Sequence, residues 1–240
     1  MRTLAIVHQP DAGSGVFADV LRQRGVESDE WAPPDAPGPP RELGDYDAVL
    51  TFGGSMHADQ EDRHPWLAAE RAALRDLLDR GIPVLGVCLG AQLVAGAAGA
   101  QPRRLPTPEI GWHEVELTDA GTRDPLLSAL PTRFEAFEWH SYEFPLPAGA
   151  LALARSPACL QSFRLGDSAW AIQFHAEVTR ADAEGWITRY RDDADAVRIG
   201  VDPDRRRAEL GERIDTWNEL GRALCGRFVD LVAERRATRA

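Results

Sequence analysis

At 240 residues the chain is long enough to bury a sizeable core and sits at the upper end of one α/β domain. Its formal net charge of −11 excludes nucleic acid and anionic membranes as natural partners. All 27 basic residues are arginine, which excludes Schiff-base, pyridoxal-phosphate and P-loop lysine chemistry, and the three cysteines form no C-x-x-C pair, which argues against a disulfide framework or a cysteine-rich zinc site.

Met1 to Val7 is too short for a signal peptide and reads as a first strand, with Leu4 to Val7 apolar as expected of a strand covered on both faces. No apolar run approaches the ~18 residues of a membrane span, so a cytoplasmic location is expected. A glycine-bearing loop follows, then Val16, Phe17, Val20 and Leu21 at helical spacing, closed by Gly25. Gly13 to Ala18 fits G-x-G-x-x-A, but the match opens several residues beyond the strand, where a dinucleotide fingerprint would open at its end. Residues 32–40, rich in proline, read as a surface loop.

Ala48 to Phe52 is the next buried strand and runs into Gly53-Gly54-Ser55. Pro65 opens a helix with Leu67, Leu74, Leu77 and Leu78 on one face, stopped by Gly81. That helix leads to the strand before Cys88. A right-handed strand–helix–strand crossover then puts the Gly53-Gly54 loop and Cys88 at the same sheet edge, where α/β proteins bind ligands. Beyond residue 100 the pattern changes. Gly111–Leu117, Phe134–His140, Ala150–Ala154, Leu160–Leu165 and Trp170–Gln173 are short strand-like runs with turn residues between them, as in antiparallel hairpins. Thr179 with Asp182 reads as a capping box, and Asp202-Pro203 opens a last amphipathic region that Gly211, Gly221 and Gly226 are expected to break. The predicted fold is a mostly parallel α/β sheet flanked by helices, antiparallel in its second half. Residues 1–240 form a single domain in this reading, with a catalytic core to about 180 and a helical extension to 240.

Gly86-Val87-Cys88-Leu89-Gly90 has the layout of a nucleophile elbow, a sharp strand-to-helix turn with one reactive side chain at its tip. Side chains at Gly86 or Gly90 would crowd that turn, and the helix N-terminus would favour the Cys88 thiolate. The alternative is a buried cysteine between strand and helix. A catalytic thiolate needs a base and a group to orient it. Phe174-His175-Ala176-Glu177 supplies both, because residues two apart on an extended strand share a face roughly 6.5–7 Å apart at Cα. Among enzymes with such an elbow, α/β-hydrolases place the acid before the histidine, whereas here Glu177 follows His175.

Gly86 to Gln92, Gly53-Gly54 and Phe174 to Glu177 together resemble the class I (triad) glutamine amidotransferases. The resemblance covers most of the chain and is closest to stand-alone proteins like the amidotransferase domain of GMP synthase, since Glu109 to Trp112, Trp139-His140-Ser141 and the C-terminal helix also look like that subgroup. It implies that Cys88 attacks the glutamine side-chain amide to give a γ-glutamyl thioester and ammonia, that His175 shuttles protons, and that Glu177 orients the imidazole. It implies an oxyanion hole from the Gly54 and Leu89 N–H groups, a glutamine-contacting Gln92, and Ser141 and Tyr142 at the substrate's amino-acid end. His140 is a candidate for lining the site. Neither a cofactor nor a metal is implied. One departure stands out: the family's glycine pair is usually followed by proline, which would stiffen the loop, and here Ser55 takes that place.

An ammonia acceptor is not encoded, since no Walker A loop or Ser-Gly-Gly-x-Asp-Ser loop is present. Three functions are compatible with the residues: a glutaminase or amidotransferase that feeds a synthetase subunit or an unidentified acceptor, a γ-glutamyl peptidase or hydrolase, and a binding or regulatory protein on the same fold. His8, His64 and His113 read as structural or surface residues, and His57-Ala58-Asp59 lacks a companion motif for a metal.

Overall fold

Nine strands form one sheet in the order β2-β1-β3-β4-β9-β8-β7-β5-β6 in the computed structural model, which describes residues 1–239. β1 (Arg2–Ile6), β2 (Glu27–Trp31), β3 (Ala48–Thr51), β4 (Val84–Val87) and β9 (Ala169–Ile172) pair in parallel. β5 (Arg103–Leu117), β6 (Arg133–Glu143), β7 (Ala150–Arg155) and β8 (Leu160–Leu165) continue the sheet antiparallel. The division between a parallel first part and an antiparallel second part is the expected one. It follows from α-helices connecting most of the early strands, while the late ones are joined by turns and, between β5 and β6, two short 3-10 helices.

Alternation along the central strands loads both faces. Leu4, Ile6, Val49 and Val84 join the core under α2 (Trp66–Asp79) and α3 (Leu89–Ala97), and Ala5, Leu50, Leu85 and Val87 join the core under α1 (Gly15–Gln23) and α6 (Pro203–Arg239). The buried side of α1 is Val16, Phe17, Val20 and Leu21, the set read from its spacing. α4 (Arg180–Thr188) begins with the Thr179–Asp182 capping box, and the short α5 (Ala194–Arg198) follows it.

One strand falls outside the sequence reading, and one expectation needs correction. β2, with sequence Glu-Ser-Asp-Glu-Trp, has no apolar alternation because it is an edge strand with only Trp31 buried. α6 runs unbroken through Gly211, Gly221 and Gly226. Burial of Leu210, Ile214, Trp217, Leu224 and Phe228 against the sheet outweighs a glycine penalty of about 1 kcal/mol each.

Candidate active site

Cys88 stands between β4 and α3 with φ 52° and ψ −109°, and it is the sole non-glycine residue with positive φ among the described residues. The turn is tight enough that a Cβ on Gly86 would lie 2.8 Å from the Gly90 carbonyl oxygen, and one on Gly90 would lie 2.2 Å from that of Thr51. The Cys88 N–H donates to the Ile172 carbonyl (2.9 Å), which ties the elbow to β9. Cys88 is 5% exposed, its thiol donates to the Trp139 carbonyl (3.9 Å), and it lies close enough to the His175 ring to act on its charge.

His175 and Glu177 lie beyond the end of β9, in a bent segment, and not on an extended strand as the i, i+2 reading supposed. The bend brings them together all the same: His175 Nδ1 donates to Glu177 Oε1 at 2.8 Å, with both side chains buried. Burial disfavours the charged imidazole, but the Glu177 carboxylate and Cys88 outweigh it and push His175 well above its ordinary value.

Main-chain clamps hold this segment. The Trp217 indole donates to the His175 carbonyl (2.8 Å), the Asn218 amide to that of Val178 (2.7 Å), and the Val16 N–H to that of Glu177 (2.8 Å). Two glycines allow the approach: a Cβ on Gly15 would sit 1.9 Å from the Glu177 oxygen, and one on Gly221 2.0 Å from the Ala176 oxygen. The G-x-G-x-x-A pattern therefore has a packing explanation, since Gly15 meets the His-Ala-Glu segment.

Gly54, Cys88, Leu89, Gln92, His140, Ser141, Tyr142 and His175 all line one cavity of about 390 Å³, with Glu177 behind His175. Among the described residues neither the Gly54 nor the Leu89 N–H has a hydrogen-bond partner. Gln92 Nε2 donates to the Tyr142 carbonyl (3.2 Å) and to Gln173 Oε1 (3.3 Å), joining the first turn of α3 to β6.

A profile of class-I glutamine amidotransferases matches residues 11–189. The chain belongs to this amidotransferase family. It is 29% identical over 199 residues to the glutamine amidotransferase-like protein YfeJ of Salmonella typhimurium, covering 78% of this chain and 80% of that one. A gamma-glutamyl-L-1-hydroxyisopropylamide hydrolase from a Pseudomonas species is 32% identical over 171 residues, covering 66% of this chain and 57% of its own length. Among solved structures, a glutamine amidotransferase from Thermotoga maritima superposes with a TM-score of 0.85 at 31% identity, over 95% of this chain and 98% of that one.

This amidotransferase-family cavity contains residues to which the sequence reading gave no part in the site. Trp186 packs edge-on against the His175 ring at 4.8 Å between centroids, and Trp139 lies 6.1 Å from Trp186. Arg104 pairs with Asp195, Arg189 with Asp11, and the Trp139 indole donates to Asp193 (2.9 Å), so the segment around α5 closes one side of the opening. An acidic Asp192-Asp193-Ala194-Asp195 run just after α4 was the available signal.

His140 lines the cavity but is chiefly engaged below it. Its Nδ1 donates to the Tyr142 carbonyl (2.9 Å), and its Nε2 lies 3.3 Å from a carboxylate oxygen of Glu109 and of Glu138. Burial opposes charge on the ring, yet the two carboxylates raise it to about 10. Burial likewise pushes the Glu138 carboxyl up. Glu109, His140 and Cys159 bring potential metal-ligand atoms within 4.8 Å of one another. Glu109 Oε2, however, already accepts from Ser156 (3.0 Å) and Gln161 (2.8 Å), and burial pushes the Cys159 thiol far up, keeping it protonated. The donor set is better matched to an imidazolium than to a metal ion.

Proposed function

We propose that the protein hydrolyses the γ-amide of a glutamyl group, with glutamine the first substrate to test and ammonia the product that a synthetase subunit or another acceptor would take up. The observation that carries this reading is the meeting, on one cavity, of a thiol on a strained elbow, a paired imidazole beside it, and two partnerless amide N–H groups. Cys88 passes its proton to His175 as its Sγ attacks the γ-carbonyl carbon, and the resulting oxyanion takes hydrogen bonds from the Gly54 and Leu89 N–H groups. As the C–N bond breaks, the His175 imidazolium gives its proton to the leaving nitrogen, producing a thioester and the free amine. His175 then takes a proton from water, which attacks the thioester, and as the C–S bond breaks to release glutamate His175 returns that proton to the departing sulfur, regenerating the thiol. Oxyanion donors of this kind are typically worth ~3–4 kcal/mol each, because they act on charge that develops only in the transition state.

One observation favours a second reading on the same chemistry, a γ-glutamyl amide hydrolase. The leaving amine departs beside His175, where Trp186 and Trp139 present an apolar wall that ammonia does not need. The similarity to the Pseudomonas hydrolase supports the same direction. The test is a panel of γ-glutamyl amides, from glutamine to N-alkyl amides, read by released amine. Faster turnover of glutamine supports the glutaminase, and faster turnover of N-alkyl amides the hydrolase. No release and no thioester by mass spectrometry from any of them overturns both, leaving a binding or regulatory role.

Glu177→Gln tests the role of the carboxylate. The imidazolium is the proton donor to the leaving amine, and Glu177, together with Cys88, holds its titration high. Removing the Glu177 charge is expected to move the alkaline limb of the kcat/KM profile to lower pH and to slow the reaction by about 10²–10⁴-fold. An alkaline limb that stays in place argues against this assignment.

A further inference from the structure

His8, read from the sequence as a structural or surface residue, is fully buried beside the Gly53-Gly54 loop and takes no direct part in the chemistry above. Its Nδ1 lies 3.0 Å from the Gly53 carbonyl oxygen and its Nε2 2.8 Å from Glu70 Oε2. The carbonyl can only accept, so Nδ1 carries a proton. Glu70, also buried, accepts from the Thr51 hydroxyl through its other oxygen at 2.8 Å. Trp66 stacks on the imidazole at 5.3 Å. A buried carboxylate, a hydroxyl and an indole thus fix the ring in one orientation, with its proton aimed at Gly53.

The Gly53 carbonyl and the Gly54 N–H belong to one planar trans peptide unit and point in opposite directions. Both flanking residues are glycine, so no Cβ resists rotation of that unit. The sides of the loop are distinct. A Cβ on Gly53 would lie 2.8 Å from His175 Cε1 and 3.7 Å from Cys88 Cβ, whereas the carbonyl is turned to His8. Gln9 Oε1 accepts from the Ser55 N–H at 2.8 Å, securing the loop where the family usually has proline.

We propose that His8 is the positioning residue of the oxyanion hole: by holding the Gly53 carbonyl it keeps the Gly54 N–H turned toward the cavity, with Glu70 and Thr51 fixing the imidazole. This rests on the hydrolytic reading above. A neutral Glu70→Gln background avoids stranding a buried carboxylate, and in it His8→Leu removes the donor to Gly53 while His8→Asn keeps a side-chain N–H near the Nδ1 position. With the best γ-glutamyl amide, His8→Leu is expected to lower kcat by about 10²–10³-fold with KM little changed, and His8→Asn to recover at least about tenfold of that. Alkylation of Cys88 by iodoacetamide forms no oxyanion and is expected to change by less than about threefold. Equal kcat for the leucine and asparagine variants, or a parallel loss of alkylation, overturns the proposal. Crystal structures of the same variants read the peptide directly: a rotated Gly53–Gly54 unit in His8→Leu supports the proposal, and an unchanged one overturns it whatever the activity. If wild type releases no amine from any substrate, the hydrolytic reading fails while this structural test still decides the peptide's anchor. Should the leucine variant not fold, Thr51→Val is expected to lower kcat by roughly threefold to tenfold with the same split, and an unchanged kcat overturns the proposal.

Discussion

Replacing Cys88 by alanine is expected to end amine release from every γ-glutamyl amide the protein accepts, by a factor of about 10⁴ or more, since the remaining groups can bind substrate and stabilise an oxyanion but have nothing to form it with. No thioester should appear by mass spectrometry, while substrate affinity measured by calorimetry should stay close to that of wild type. The same position makes a second, opposite statement about stability. Cys88 sits at φ 52° and ψ −109°, a region that costs a residue bearing a Cβ about 1–3 kcal/mol. Alanine keeps that cost and glycine removes it. Cys88→Gly should therefore be more stable than Cys88→Ala by about 1 kcal/mol in urea denaturation, the reverse of the ordering expected in an ordinary helix. If the alanine variant retains turnover, Cys88 is not the nucleophile. If glycine is the less stable of the two, the elbow is not strained.

The elbow was legible because its chemistry is local: a strand, a glycine on each side and a helix, all within ten residues. The parallel half of the sheet was legible for a similar reason, since Leu4 to Val7 and Ala48 to Phe52 are short, largely apolar runs, the second ending directly at Gly53. The residues around the triad were harder to read, because their roles come from pairing across the chain. His8 is 62 residues from Glu70 in sequence and Trp217 is 42 from His175, and nothing in the neighbourhood of either announces its partner. Glu70 carries a further lesson. It lies on the buried side of α2 among Leu67, Leu74 and Leu77, where a carboxylate breaks the apolar pattern. A charge at an apolar position signals a buried partner, and here it was the one clue that a lone histidine after β1 is an inward-facing residue. β2 was missed for the contrary reason, because an edge strand need not carry the pattern at all.

Gly221→Ala is expected to be among the most damaging single methyls that can be added outside the cavity, and unlike Gly15 it lies within a helix with ordinary φ. The new Cβ would meet the Ala176 carbonyl oxygen at 2.0 Å and its carbon at 3.1 Å, and both are backbone atoms that no rotamer change can move. Either α6 withdraws or the His175–Glu177 segment is displaced. Withdrawal would loosen the Trp217 and Asn218 hydrogen bonds on either side of that segment, and displacement would shift the imidazole relative to Cys88. Overpacking of this kind costs about 1–3 kcal/mol, and a misplacement near 1 Å costs about 10²-fold in rate. Gly211 lies in the same helix, exposed, with open space where its Cβ would be. Gly211→Ala should stabilise the protein by about 0.5–1 kcal/mol and leave turnover unchanged, because there only helix propensity is at stake. Urea denaturation and amine release on the two variants separate the possibilities. Opposite signs in stability, with activity lost only at residue 221, are what a helix serving as backing for the catalytic segment requires. Two variants that behave alike would reduce α6 to a cover for the sheet.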